Sequence, residues 1–275
     1  MTLSYIDWTV SPTIFEIFGR EILWYSLMFA LGFWIGYKIV ERMFNYEKIK
    51  LEWLDSLFVY VFAGTVIGAR LGHCLFYNPE YYLSDPIEIL KIWEGGLASH
   101  GGAIGILIAI YIYSKRVTHR SMIWTFDRLL VPVALVGTMI RIGNLMNHEI
   151  YGHVTDLPWA FRFITNVNAW KNGAEPIFSL PSHPTQIYEA LIYLITFVIL
   201  MMMYWKYKAY KRPGLIFGTF LAGIFGTRFF IEFLKNNQEA FEDGMILNMG
   251  QILSIPFMIA SVILIYRALK NPPVK

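Results

Sequence analysis

Long apolar runs broken by short polar and basic connections dominate the chain, and none of them alternates with the period of two expected of a membrane barrel. Seven runs are long enough to be read as membrane-crossing helices: residues 22–40, 54–77, 97–114, 122–146, 187–205, 214–234 and 246–266. A helix needs about 20 mainly apolar residues to cross a hydrocarbon layer roughly 30 Å thick. Pro132 and Arg141 make the fourth run the least regular. The pattern predicts an all-α, polytopic integral membrane protein with seven transmembrane helices, forming a single transmembrane domain over residues 1–275. The opening MTLSYIDWTV lacks the positive segment of a cleavable signal peptide, so the first span is expected to be retained. Trp24, Trp53, Trp93, Trp124 and Trp205 fall near span ends, where an indole favours the headgroup layer.

The basic residues give this pattern a direction. Of the 23 lysines and arginines, fourteen fall on one set of connections with the adjoining span end at Lys38 and the C-terminal tail, five on the opposite set, and four deeper inside the runs. The richer side is expected to be cytoplasmic, which puts the N-terminus outside and the C-terminus inside. Residues 147–186 then form an outward-facing, periplasmic cap between the fourth and fifth spans, too short for a domain and too long for a simple link. No internal repeat relates the two halves, which counts against an inverted-repeat transporter.

Composition adds mainly exclusions. The chain is 56% hydrophobic and only 16% charged, against about 25% charged in ordinary globular proteins. A net charge of +3, scattered along the sequence, gives no basic face for nucleic acid. A single cysteine, Cys74, excludes a disulfide framework and any multi-cysteine metal centre. HExxH and GxSxG motifs are absent, and no span holds a tight His/carboxylate cluster, so neither a metal site nor a serine nucleophile is expected. Gly64, Gly68 and Gly72, and likewise Gly214, Gly218, Ala222 and Gly226, recur every four residues and read as surfaces for close helix packing.

The candidate chemistry lies in residues that a membrane makes costly. An ionised side chain at mid-membrane costs roughly 2.5–3.5 kcal/mol on insertion scales, so Arg70, Arg128, Arg141 and Arg228 each need an explanation. Arg128 adjoins Asp127 and reads as an ion pair near a span end. Arg228 and Glu232 are four apart on one helix face, as a structural ion pair or as part of a site. Arg141 has no acid in its own span and opens the run Arg141-Ile-Gly-Asn144-Leu-Met-Asn147-His148-Glu149-Ile-Tyr151-Gly152. Helical spacing puts Arg141, Asn144 and His148 on one face, a density of donors that points to a site. His100, in Gly95-Gly96-Leu-Ala-Ser99-His100-Gly101-Gly102, is either a wetted interfacial residue or a catalytic or ligand group that glycines leave approachable. Two arginine forks with amides and a histidine at one membrane face suit a monoanionic phosphate, and a phospholipid headgroup is the abundant example. A transporter or channel for an anionic solute, and a non-catalytic lipid-binding scaffold, use the same residues and remain open on these grounds.

The run from Arg141 to Gly152 resembles the R-x-G-N-x-x-N-x-E-x-x-G signature of bacterial prolipoprotein diacylglyceryl transferases. Further blocks resemble that family in order along the chain: Trp24-Tyr25, Gly68-Ala69-Arg70-Leu71-Gly72, Ser99-His100-Gly101-Gly102, His183-Pro184-Thr185-Gln186-Ile187-Tyr188-Glu189, Arg228 with Glu232, and Met249-Gly250-Gln251 through Pro256. The resemblance implies an inner-membrane enzyme that moves the diacylglyceryl group of phosphatidylglycerol to the lipobox cysteine thiol of a preprolipoprotein and releases glycerol phosphate. It implies no metal or organic cofactor, and partners that are membrane lipids and signal peptides, not nucleic acid. By position it makes Arg141 and Arg228 the groups that grip the lipid phosphate and His100 a base. Tyr25, Asn144, Glu149, Gly152 and Glu232 match residues around the family's site, and Arg70, Gly101 and Asn147 are placed with them as substrate-binding. The chain departs from the family at Ile140, commonly glycine, and at Ile224, a tyrosine in some members.

Overall fold

A computed structural model describes residues 5–236, 242 and 244–273. In chain order its elements are strands β1 (Tyr5–Asp7), β2 (Thr13–Ile17) and β3 (Arg20–Leu23), then helices α1 (Trp24–Glu47), α2 (Leu51–Phe76), α3 (Pro79–Ser84), α4 (Ser99–Tyr113) and α5 (Met122–Met146). Strand β4 (Ala160–Arg162) and helix α6 (Val167–Lys171) follow, then α7 (Thr185–Trp205), α8 (Leu215–Leu221), α9 (Thr227–Ile231) and α10 (Met249–Lys270). The chain is mostly helical, as expected, but not all-α: β1 pairs in parallel with β4, and β2 pairs antiparallel with β3. Among the described residues, five helices are long and apolar enough to cross a membrane: Leu51–Phe76, Met122–Met146, Thr185–Trp205, Leu215–Leu234 and Met249–Lys270. The first and third apolar runs fold as helices outside that group. Helix α1 has 24 residues but is diluted by Trp, Tyr and the charges Lys38, Glu41, Arg42 and Glu47. Helix α4 has 15 residues before a π-helical turn over Ser114–Thr118.

The chain packs as two units, one of residues 37–125 and one of 1–36 with 126–275. In the first, glycines decide how α2 and α4 pack. A β-carbon on Gly72 would meet the Gly101 Cα at 2.6 Å, and one on Gly64 would meet the Gly105 carbonyl at 2.7 Å. The two backbones therefore touch, as the stripe at Gly64, Gly68 and Gly72 predicts. Around the other end of α2, Val40, Phe44 and Leu54 form a core with Trp53 and Trp124 against it. Residues 78–98, between α2 and α4, are latched from behind by Arg70. Its buried guanidinium donates to the carbonyls of Ile89 (2.9 Å) and Gly95 (2.6 Å), and also to those of Glu88 and Gly96.

In the second unit, α8 begins where the buried carboxylate of Asp127 accepts from the backbone N–H groups of Gly214 (2.7 Å) and Phe217 (2.9 Å). Asp127 thus satisfies helix-terminal donors that would otherwise be orphaned in an apolar setting, and Arg128 lies over the ring of Tyr210. The sixth apolar run is not one regular helix. A π-helical turn at Ala222–Gly226 separates α8 from α9, and a 3₁₀ turn at Glu232–Leu234 closes it. Only part of the small-residue stripe there is used for packing: Gly218 meets Leu264 and Ile265 of α10, while nothing lies within 4 Å of a β-carbon on Gly226.

Residues 147–186 fold back over the ends of α5 and α7. Phe161 and Phe163 of this segment form a core with Leu145, joined by Trp8, Tyr151 and Ile187. The N-terminal strand is stitched to it by the β1–β4 pairing, by Arg162 gripping Asp7 through Nε at 2.6 Å and Nη2 at 2.8 Å, and by Trp8 Nε1 donating to Leu145 O at 2.9 Å.

Candidate active site

The fourth apolar run ends at Met146, and the signature run then leaves the helix through two non-glycine residues at positive φ, His148 (59°) and Ile150 (60°). For a β-branched residue this is a strained conformation that persists only where its surroundings enforce it. Here α7 enforces it: Gln186 Nε2 donates to Glu149 O at 2.7 Å, and Thr185 Oγ1 to Ile150 O at 3.0 Å. The strained turn aims the Glu149 side chain back at the helix, where it accepts from Asn144 Nδ2 (2.8 Å) and Asn147 Nδ2 (3.1 Å). Asn144 Oδ1 in turn accepts from Arg141 Nη1 at 3.2 Å. Tyr25, at the start of α1, packs on this face, and a β-carbon on Gly143 would come within 2.8 Å of its ring.

Arg141 finds its acid on another helix. Its Nε lies 3.0 Å from Oε2 of Glu189 on α7, and Oε1 of the same carboxylate lies 2.9 Å from Lys235 Nζ. Lys235 also reaches Glu232 Oε1 at 3.2 Å, and that oxygen lies 3.3 Å from Arg228 Nε. Asn248, which caps α10, donates to the other Glu232 oxygen at 3.2 Å. The five charged side chains form one chain of ion pairs in the order Arg141, Glu189, Lys235, Glu232, Arg228. Accessibility is graded along it: the Arg141 and Arg228 side chains are 15% and 34% exposed, whereas Glu189, Lys235 and Glu232 are at 0%, 2% and 6%. The carboxylates and the lysine sit behind, and the two guanidiniums form the reachable ends. Buried charges are tolerated only when paired in this way, because each ion alone costs several kcal/mol to desolvate.

The structure thus brings Tyr25, Arg141, Asn144, Asn147, Glu149, Arg228 and Glu232 into one constellation. Gly152 stands at its rim, where the chain crosses the end of the sixth run so closely that a β-carbon would strike the Leu234 carbonyl, Thr185 and His183. Three expectations change. His148 does not share the Arg141 face, because the helix has ended; it is buried, with Nδ1 accepting from Ile164 N–H (3.1 Å) and Nε2 against Val10 O (2.9 Å). Arg70 is occupied by carbonyls, so it organises a loop. Gly101 serves the α2–α4 contact. His100 is exposed in the first turn of α4, in the other unit.

Sequence reasoning gave no role to Glu189 and counted Lys235 as an ordinary loop cation. A signal existed for the first: Glu189 is the only acid in the fifth apolar run, and Arg141 needed one from elsewhere. Tyr193, hydrogen-bonded to Arg141, was also missed.

Several apolar helices of membrane-crossing length and a buried cation–carboxylate centre define a polytopic membrane protein. The chain belongs to the prolipoprotein diacylglyceryl transferase family, whose model matches residues 12–267. It is similar to proteins named phosphatidylglycerol–prolipoprotein diacylglyceryl transferase. The one from Porphyromonas gingivalis is 53% identical over 99% of this chain and 98% of its own. Those of Chloroherpeton thalassium and Tolumonas auensis are 45% and 44% identical, over 98% and 96% of this chain and 97% and 98% of theirs. The chain is therefore an enzyme, a membrane transferase of lipoprotein biosynthesis.

Proposed function

We propose that this chain moves the diacylglyceryl group of phosphatidylglycerol to the thiol of the lipobox cysteine of a preprolipoprotein and releases glycerol phosphate, the first step of lipoprotein maturation. The observation that carries this reading is the graded ion-pair chain, with two accessible guanidiniums braced from behind by buried carboxylates. A braced fork matches a phosphate diester and keeps its geometry when charge grows on the departing group, so it stabilises that charge without reorganising. The substrate sulfur forms a bond to the glyceryl carbon, the bond from that carbon to the phosphate oxygen breaks, and its electron pair leaves on glycerol phosphate. A thiol with a pKa of about 8.5 is mostly protonated at neutral pH, so the step needs a base, the part that falls to His100 by its position in the family's motif. Asn144, Asn147, Glu149 and Tyr25 shape the pocket beside Arg141.

The same reading has seven spans in the bacterial inner membrane, with the N-terminus and the 147–186 cap on the periplasmic side and the C-terminus in the cytoplasm. Two observations support it. Basic residues crowd the connections assigned to the cytoplasm. The β1–β4 pairing keeps the N-terminal strand on the cap's side, so α1 and α4 either both cross the membrane with α2 and α5 or both do not.

The test incubates the purified protein with phosphatidylglycerol and a lipobox peptide and weighs the peptide by mass spectrometry. The peptide is expected to gain one diacylglyceryl group, with glycerol phosphate released in equal amount. Arg141→Ala and Arg228→Ala are each expected to lower turnover by about 10²–10³-fold, the scale for losing one preorganised partner of developing charge. Unchanged turnover in both variants refutes the site, and near-normal turnover in His100→Asn removes that residue as the base.

A further inference from the structure

Lys235 has no part in the reaction just described, yet it is buried between two carboxylates. Its side chain is 2% exposed, and its ammonium lies 2.9 Å from Glu189 and 3.2 Å from Glu232. Those carboxylates come from different helices, and each holds one of the two arginines. A compact ammonium with three rotatable donors can be shared between two carboxylates, where an amide cannot supply the charge. The backbone at Lys235 is fixed as well. It forms an isolated antiparallel bridge with Gly152, and His153 N–H donates to Leu234 O at 2.8 Å. This approach is why the signature ends in glycine, since a β-carbon on Gly152 would strike the Leu234 carbonyl.

We infer that Lys235 is a positioning residue: it ties the Glu189 that braces Arg141 to the Glu232 that braces Arg228, and so sets the spacing of the two guanidiniums. Gly152 acts on the site through it, by letting the cap segment clamp the backbone that carries the ammonium. Without the ammonium the two carboxylates repel, each arginine follows its own carboxylate, and the forks no longer converge on one phosphate. The inference rests on the proposed reaction for its ligand and on the geometry alone for its mechanism.

The test uses the full chain in phosphatidylglycerol vesicles with a lipobox peptide. It reads turnover per folded protein, together with equilibrium binding of a fluorescent phosphatidylglycerol to the detergent-solubilised protein. Lys235→Met is expected to lower kcat about a hundredfold, the scale of an ångström-level misplacement, and to weaken lipid binding about tenfold. Lys235→Gln takes its place if the Met variant does not fold. Lys235→Arg, which keeps charge and donors, is expected to recover both readings to within about fivefold of the parent. A folded Met or Gln variant within about threefold of the parent in both readings overturns the assignment, as does an Arg variant no better than Met. If the parent binds the lipid but transfers nothing, the reaction fails and Lys235 is judged on binding: loss in Met with recovery in Arg supports it, and equal binding in all three overturns it.

Discussion

His148 shows at the scale of one side chain how a signature can mix chemistry with architecture. Its imidazole is buried, accepts from Ile164 N–H at Nδ1, and so carries its proton on Nε2, facing Val10 O. Burial holds its pKa below the ordinary value, because a charged ring there loses hydration. The sign follows from linkage. The unfolded chain binds the proton near about pH 6.5 while the folded chain resists it, so the contribution is intact above that pH and is lost as acid carries the solution down through the folded pKa. Protonation also turns Nδ1 into a donor that faces the Ile164 N–H. Thermal unfolding of the solubilised protein between pH 5 and 8 is expected to show a midpoint that is level above about pH 6.5 and falls below it. A His148→Gln variant should lose most of that slope, and an unaltered slope would mean that other groups govern acid lability. Spacing put His148 beside Arg141 and Asn144; the helix ends two residues earlier, so periodicity had nothing left to act on.

At the scale of elements, membrane helices pack through shape more than through apolar drive, and the α2–α4 contact is the sharpest case. Gly68→Leu puts a branched side chain where a β-carbon already comes within 2.8 Å of the Gly105 Cα. Neither backbone can yield without separating the helices, so a loss of about 1–3 kcal/mol or more is expected, read as a lower unfolding midpoint. Gly226→Ala is the matched control, since open space surrounds that position and its backbone is helical. It should leave stability unchanged or raise it by about 0.5–1 kcal/mol. Equal losses in the two variants would show that glycine content, not contact, governs stability. Apolar runs revealed these elements well where hydropathy alone decides. Met122–Met146 matches the fourth run at both ends, and α7 and α10 lie within a few residues of theirs. Runs carry no record of hydrogen-bond register, so the π-helical turn before Arg228 and the strained exit after Met146 were invisible. The site was legible in outline for a different reason: charges are rare inside apolar runs and stand out. Their pairing was legible only where both partners share a helix, as with Arg228 and Glu232. Glu189 meets Arg141 and Lys235 by folding, which no local pattern encodes, whereas Lys235 and Glu232 are three residues apart and form a local pair that hydropathy does not single out.

At the scale of the whole molecule, the remaining question is which way the chain threads the membrane, and the structure constrains the answer by parity. The N-terminal strand lies beside β4, and Gly152 lies beside Lys235, so three points far apart in sequence share one face. An even number of crossings must separate each from the next, and an odd number then carries the C-terminus to the other face through α10. Parity leaves the sign open. The proposed sign comes from the basic residues, fourteen of the 23 belonging to the connections and C-terminal tail opposite the cap. A buried single cysteine makes the test simple: with Cys74 replaced by alanine, a cysteine can be placed in the cap at exposed Asp156 or in the opposite connection at exposed Lys208. In cells whose outer membrane alone is permeabilised, a membrane-impermeant maleimide is expected to label Asp156→Cys and to spare Lys208→Cys until the inner membrane is opened. The reverse pattern would put the braced arginines on the cytoplasmic face and overturn the orientation. Labelling of both without opening would break the parity argument, and the seven-span reading with it.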